Sequence, residues 1–168
     1  SVSVTNVYQE GSNVNFIYGG SNVIGDVETT NVLVTGGVSG NVFGGNNLGG
    51  TVGTTNVTIN KGTITNSVYG GGNKVSTIKT NVILNGVDGT IPNVYGGGNA
   101  ADATTVNISQ NGADVENLFG GSNTSGSVLE TTIIHNSGNT QNIYGGNNEG
   151  GNTLKTTINY INGVSANI

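Results

Sequence analysis

An aromatic residue followed by Gly-Gly and, two positions later, by Asn recurs six times along 168 residues. The copies are Tyr18-Gly19-Gly20-Ser21-Asn22, Phe43-Gly44-Gly45-Asn46-Asn47, Tyr69-Gly70-Gly71-Gly72-Asn73, Tyr95-Gly96-Gly97-Gly98-Asn99, Phe119-Gly120-Gly121-Ser122-Asn123 and Tyr144-Gly145-Gly146-Asn147-Asn148. Their rings advance by 25, 26, 26, 24 and 25 positions. A period of this size held over most of a chain builds a stack of like units in which each unit touches its neighbours. One domain, 1–168, is expected, with no linker and no change of composition.

Each unit carries a second marker, Thr-(Asn/Thr)-(Val/Ile)-x-(aliphatic). It reads Thr30-Asn31-Val32-Leu33-Val34, Thr55-Asn56-Val57-Thr58-Ile59, Thr80-Asn81-Val82-Ile83-Leu84 and Thr104-Thr105-Val106-Asn107-Ile108. The last two copies, Thr131-Thr132-Ile133-Ile134-His135 and Thr156-Thr157-Ile158-Asn159-Tyr160, end on polar-tipped rings, and a degenerate copy opens at Thr5-Asn6-Val7-Tyr8-Gln9. Apolar, mostly β-branched residues at period two are a strand signal. A second such run leads into each aromatic, as in Ile64-x-Asn66-x-Val68. A looser apolar point (Val27, Val52, Ile78, Val128, Leu154) precedes each Thr. Helical periodicity is absent, and glycine at this density costs about 1 kcal/mol per site in a helix. The expected fold is all-β: a parallel β-helix, or β-solenoid, of six to seven coils, with about 25 residues and three short strands per coil.

Stacking coils about 4.8 Å apart turns every repeat position into an axial row. Ile17, Val42, Val68, Val94, Leu118 and Ile143 are expected to point inward, as are Val32, Val57, Val82, Val106, Ile133 and Ile158. The closing asparagines, Asn22, Asn47, Asn73, Asn99, Asn123 and Asn148, are placed to bond amide to amide as a structural ladder.

The (Val/Ile/Leu)-(Tyr/Phe)-Gly-Gly-x-Asn motif, which spans nearly the whole chain, resembles the Gly/Asn-rich parallel β-helix repeats of bacterial surface adhesins and extracellular fibres. The resemblance implies a secreted, elongated protein with an adhesive or structural role.

Composition narrows the chemistry. Charged residues are 8% of the chain, the net charge is −5, and none of its four cations is Arg. Nucleic acids and anionic membranes, which need clustered cations, are not expected as partners. Cysteine is absent, which excludes disulfides and thiolate metal sites. The apolar runs fall far short of the roughly 20 residues that cross a bilayer.

Parallel β-helices also host polysaccharide lyases and hydrolases. Lyase chemistry of that kind draws on Arg or Lys, and Lys61, Lys74, Lys79 and Lys155 are isolated. Glycosidic hydrolysis needs two carboxylates about 5–9.5 Å apart, and Asp26, Asp88, Asp102 and Asp114 form no defensible pair. No enzymatic activity, cofactor or metal is expected, and the lone His135 reads as structural.

One candidate binding surface remains, the row Tyr18, Phe43, Tyr69, Tyr95, Phe119 and Tyr144. Simple alternation points it outward, where it would stack on glycans; the Gly-Gly bend would instead let the rings pack, and packing is the favoured expectation. A third class, ice binding, wants outward Thr-x-Thr pairs, whereas the outward row is mixed. The two chain ends fall in repeat register, Ser1–Thr5 matching Asp26–Thr30 and Asn167-Ile168 matching Asn41-Val42. Head-to-tail association of copies is therefore expected, as a fibre subunit or as a rod segment of a larger extracellular or cell-surface protein.

Overall fold

The computed structural model describes all residues, Ser1–Ile168. It contains twelve strands and no helix: β1 (Val2–Gln9), β2 (Asn13–Tyr18), β3 (Asp26–Phe43), β4 (Thr51–Tyr69), β5 (Thr77–Leu84), β6 (Thr90–Tyr95), β7 (Ala103–Asn111), β8 (Asp114–Phe119), β9 (Val128–Ser137), β10 (Asn139–Tyr144), β11 (Thr153–Tyr160) and β12 (Val164–Asn167). Every pairing is parallel and joins a residue to one 24 to 26 positions away. The result is a β-solenoid of about seven coils, about 30 Å long at the ordinary strand spacing.

Two sides of each coil are strands. On the first, β1, the front halves of β3 and β4, β5, β7, β9 and β11 stack in order. On the second, β2, the rear halves of β3 and β4, β6, β8, β10 and β12 do the same. In place of a third strand, the stretch after each Gly-Gly is a series of bends. Its backbone still climbs the axis in register: Asn47 N–H donates to Ser21 O (2.9 Å), Asn73 N–H to Asn46 O (2.9 Å) and Asn99 N–H to Gly72 O (3.0 Å). Small and polar residues there satisfy the stacking bonds without needing extended backbone.

The interior is one continuous cluster of 21 buried residues. Ile17, Val42, Val68, Val94, Leu118 and Ile143 line it from the second side, each no more than 5% exposed. From the first side come Val32, Val57, Val82 and Ile133, with Ile158 half-buried against them.

Three details depart from the expected register. Val106 is buried, but it pairs with Thr80 and Thr131, not with Val82; Ile108 holds the valine row instead. The Thr104–Ile108 copy is thus two residues out of phase. With Val106 in the threonine row, that row follows the ladder asparagine by seven or eight positions in every coil. Ile78 and Leu154 face solvent, 65% and 73% exposed, because Thr77 and Thr153 occupy the inward row of Val27, Val52 and Val128.

The Gly-Gly pairs are a matter of space more than of turn conformation. Left-handed backbone occurs at other glycines, such as Gly62 (φ 101) and Gly138 (φ 102), where the first side turns into the second. At Gly44 and Gly70 the constraint is different: a Cβ would run into the carbonyl oxygen of the glycine one coil on, Gly70 or Gly96, with Val57 or Val82 behind it.

Candidate functional site: a stack of rings beside an asparagine ladder

The six rings that precede Gly-Gly form one uninterrupted stack. Centroids are separated by 4.9 Å (Tyr18–Phe43), 4.4 Å (Phe43–Tyr69), 5.0 Å (Tyr69–Tyr95), 5.0 Å (Tyr95–Phe119) and 4.7 Å (Phe119–Tyr144), with planes within 14° of parallel. The rings lie outside the main interior, as a cluster of their own. Phe43, Tyr69, Tyr95 and Phe119 are nevertheless buried, Tyr18 is half-buried and Tyr144 is 44% exposed. Each of the four central rings has both faces occupied by its neighbours. None of these four offers a sugar an open ring face.

The ladder Asn22–Asn47–Asn73–Asn99–Asn123–Asn148 is closed at every step. Each Nδ2 donates to the Oδ1 one coil earlier, at 2.7, 2.8, 2.8, 2.9 and 2.9 Å. Rings and amides touch: Asn123 Nδ2 donates to the Tyr69 hydroxyl at 3.4 Å. Burial holds the Tyr69 phenol above its usual range, an effect that hydrogen bonds from Ser67 and Asn123 partly offset. For Tyr95, burial first, then the nearby Tyr69 and Glu149, push the phenol up to about 12.

Sequence reasoning found one amide ladder where the structure has four. Asn6–Asn31–Asn56–Asn81–Asn107 runs up the first side, Asn60–Asn85–Asn111–Asn136 follows its far edge and Asn93–Asn117–Asn142–Asn167 climbs the second. All were visible as asparagines 24 to 26 positions apart. Asn46 and Asn147 do something else. Each donates Nδ2 to two carbonyls, Gly25 and Gly49 for the first, Gly126 and Gly150 for the second, and accepts the N–H of Ser21 or Ser122. The shared signal is Gly-Gly-Asn-Asn-x-Gly-Gly, present at 44–50 and 145–151.

Three of the four aspartates are also engaged between coils. Asp26 Oδ1 accepts Thr51 N–H and hydroxyl, Asp102 Oδ1 accepts Ser127 N–H and Asp114 Oδ1 accepts Asn139 N–H. Asp26 and Asp102 share a row three coils apart, about 14 Å at the strand spacing, too far for a hydrolytic pair. His135 is fully buried: Nδ1 meets Asn162 O at 2.7 Å, Nε2 meets Thr140 Oγ1 at 3.2 Å, and its ring stacks on Tyr160 at 4.5 Å. Thr140 donates in turn to Gln110 Oε1 at 2.8 Å. Both imidazole nitrogens therefore serve a buried polar network.

A surface depression of about 850 Å³ runs along the axis over the row Val27–Val52–Thr77–Ala103, with Leu48, Ile78 and Leu129 on its flanks. Gly49, Gly50 and Gly53 are among its lining residues.

No family model, curated protein or solved structure matches the chain.

Proposed function

We propose that the chain is a structural rod, a non-enzymatic β-solenoid serving as a fibre subunit or as the shaft of an extracellular or cell-surface protein. The observation that carries this reading is the unbroken Asn22–Asn148 ladder beside the ring stack. The side chains best suited to hold a ligand, six rings and six amides, are spent on contacts between coils. Repeating the same contacts between every pair of coils stiffens a stack along its axis, as a shaft requires. The extracellular placement rests on the likeness of the repeat to surface-adhesin and fibre repeats.

The ladders also have a sense. Because every Nδ2 points toward the preceding coil, Asn22 offers a donor on one face of the stack and Asn148 an acceptor on the other. Whatever continues the rod must match that polarity. A coil of the same repeat does so, whether it belongs to the same chain or to a second copy added head to tail.

Negative-stain microscopy and sedimentation at rising concentration test the reading. Straight rods or filaments one solenoid wide are expected, and Val4→Lys with Ile168→Asp shortens them without loss of the β-sheet spectrum. Compact particles at every concentration, with saturable glycan binding that Tyr144→Ala abolishes, replace the rod with an adhesin.

A further inference from the structure

The chain contains three Asn-Gly steps, Asn85-Gly86, Asn111-Gly112 and Asn162-Gly163. Their local chemistry is the same, but the fold treats them differently. Asn85 donates Nδ2 to Asn60 Oδ1 and accepts Asn111 Nδ2, both at 2.8 Å. Asn111 in turn accepts Asn136 Nδ2 at 2.8 Å. Both carboxamides are thus held at both ends along the axis, pointing away from their own following peptide. The nitrogen of Gly86 is also engaged, donating to Ile59 O at 3.3 Å.

Asn162 belongs to no ladder. The pairing of His135 with Tyr160 aligns Ile161 with Asn136 and Asn162 with Ser137, so Asn162 misses the amide row by one position. Its carboxamide instead turns back on its own chain, where Oδ1 accepts the N–H of Gly163 at 2.9 Å. Gly163 has no Cβ to obstruct the approach, and its φ of +114° belongs to glycine. Asn162 is exposed to water.

We propose that Asn162-Gly163 is a self-modification site at which the side-chain amide is lost through a cyclic imide, while the amide ladder protects Asn85 and Asn111. The Gly163 nitrogen, once deprotonated by base, attacks Asn162 Cγ. The N–Cγ bond forms, the Cγ–Nδ2 bond breaks, and ammonia leaves after taking up a proton from water. Water then opens the five-membered imide at one of its two carbonyls, giving aspartate or isoaspartate. No electrons are exchanged and the only co-reactant is water. The product carries a new carboxylate, and the isoaspartyl form an extra main-chain methylene, beside the carbonyl that meets His135 Nδ1. The corner joining β11 to β12 loosens as a result.

Peptide mapping by mass spectrometry after incubation of the folded protein in mildly alkaline buffer tests this. Conversion is expected at Asn162, and about tenfold or more slower at Asn85 and Asn111, whose two ladder bonds must break before the carboxamide can turn. In denaturant the three rates converge. Asn60→Ala, which removes the acceptor for Asn85 Nδ2, speeds conversion of Asn85 and leaves Asn162 unchanged. Equal rates at the three sites of the folded protein, or an Asn162 that converts only when unfolded, overturn the proposal.

Discussion

Thr80 and Thr131 stand in the same interior row but bond glycine carbonyls in opposite chain directions. Thr80 Oγ1 donates forward to Gly96 O at 2.6 Å, whereas Thr131 Oγ1 donates backward to Gly120 O at 3.0 Å. The residue between them in the row is Val106, which has no hydroxyl. Before it, Thr5, Thr30 and Thr55 reach forward to Gly19, Gly44 and Gly70; after it, Thr156 reaches back to Gly145. Each first-glycine carbonyl of the six Gly-Gly bends thus receives one hydroxyl, and the pairing slips by one coil at the valine. A buried carbonyl left without a donor is costly, which accounts for threonine at these inward positions.

Thr131→Val removes the only hydroxyl on Gly120 O and is expected to cost about 1–3 kcal/mol. Val106→Thr in that background supplies a hydroxyl from the coil below, in the forward sense that Thr80 uses. Denaturant melts of the two single variants and the double should show partial rescue. A double variant less stable than Thr131→Val contradicts the assignment.

Glycine spacing predicts a steep contrast between two alanine substitutions. A Cβ at Gly70 meets the Gly96 carbonyl oxygen, backbone that cannot swing aside, whereas one at Gly11 meets nothing within 4 Å. Gly70→Ala should lower the melting temperature strongly or prevent folding, and Gly11→Ala should leave it within the scatter of surface substitutions, about 0.5 kcal/mol. Equal melting curves count against the close stacking of the bends.

Charge placement separates inside from outside. Val82 is 1% exposed at the centre of the stack, so Val82→Asp buries an unpaired carboxylate and should be severely destabilising. Asp102 is exposed, and its Oδ1 accepts Ser127 N–H at 2.7 Å, a role that an asparagine oxygen fills equally well. Asp102→Asn should be nearly silent. Thermal melts that rank the pair in the other order contradict the inward row.

The ring stack has a pH signature. Tyr95 ionises near pH 12 when folded, against an ordinary tyrosine value of 10.0. Below pH 10 the phenol is protonated in both states and contributes no pH dependence. Between about 10 and 12 the unfolded chain has lost the proton and the folded one has kept it, so stability falls as pH rises. Ultraviolet titration of the folded protein should show Tyr95 and Tyr69 ionising later than in denaturant. Coincident curves contradict a buried stack.

The period of the aromatic-Gly-Gly-x-Asn motif was enough, by itself, to determine a parallel solenoid of about 25 residues per coil. Strand alternation was enough to place Val42, Val68 and Val82 inside, because parallel stacking multiplies one local pattern along the axis. Tertiary structure decided the rest. Simple alternation pointed the rings away from the main interior and the Gly-Gly bend favoured their packing; Tyr69 and Tyr95 lie outside the main cluster and are buried because neighbours about 5 Å above and below cover one another and the Asn row adjoins them. No reading of a single coil contains that contact. Phase was the other point at which the structure departed from the sequence reading. The string Thr104–Ile108 fits two registers locally, and only the pairing of Val106 with Thr80 and Thr131 selects the one that keeps Ile108 in the valine row, at the cost of a missing hydroxyl. In a stack, the neighbouring coil sets the register of each coil, and with it the partners of every buried polar group.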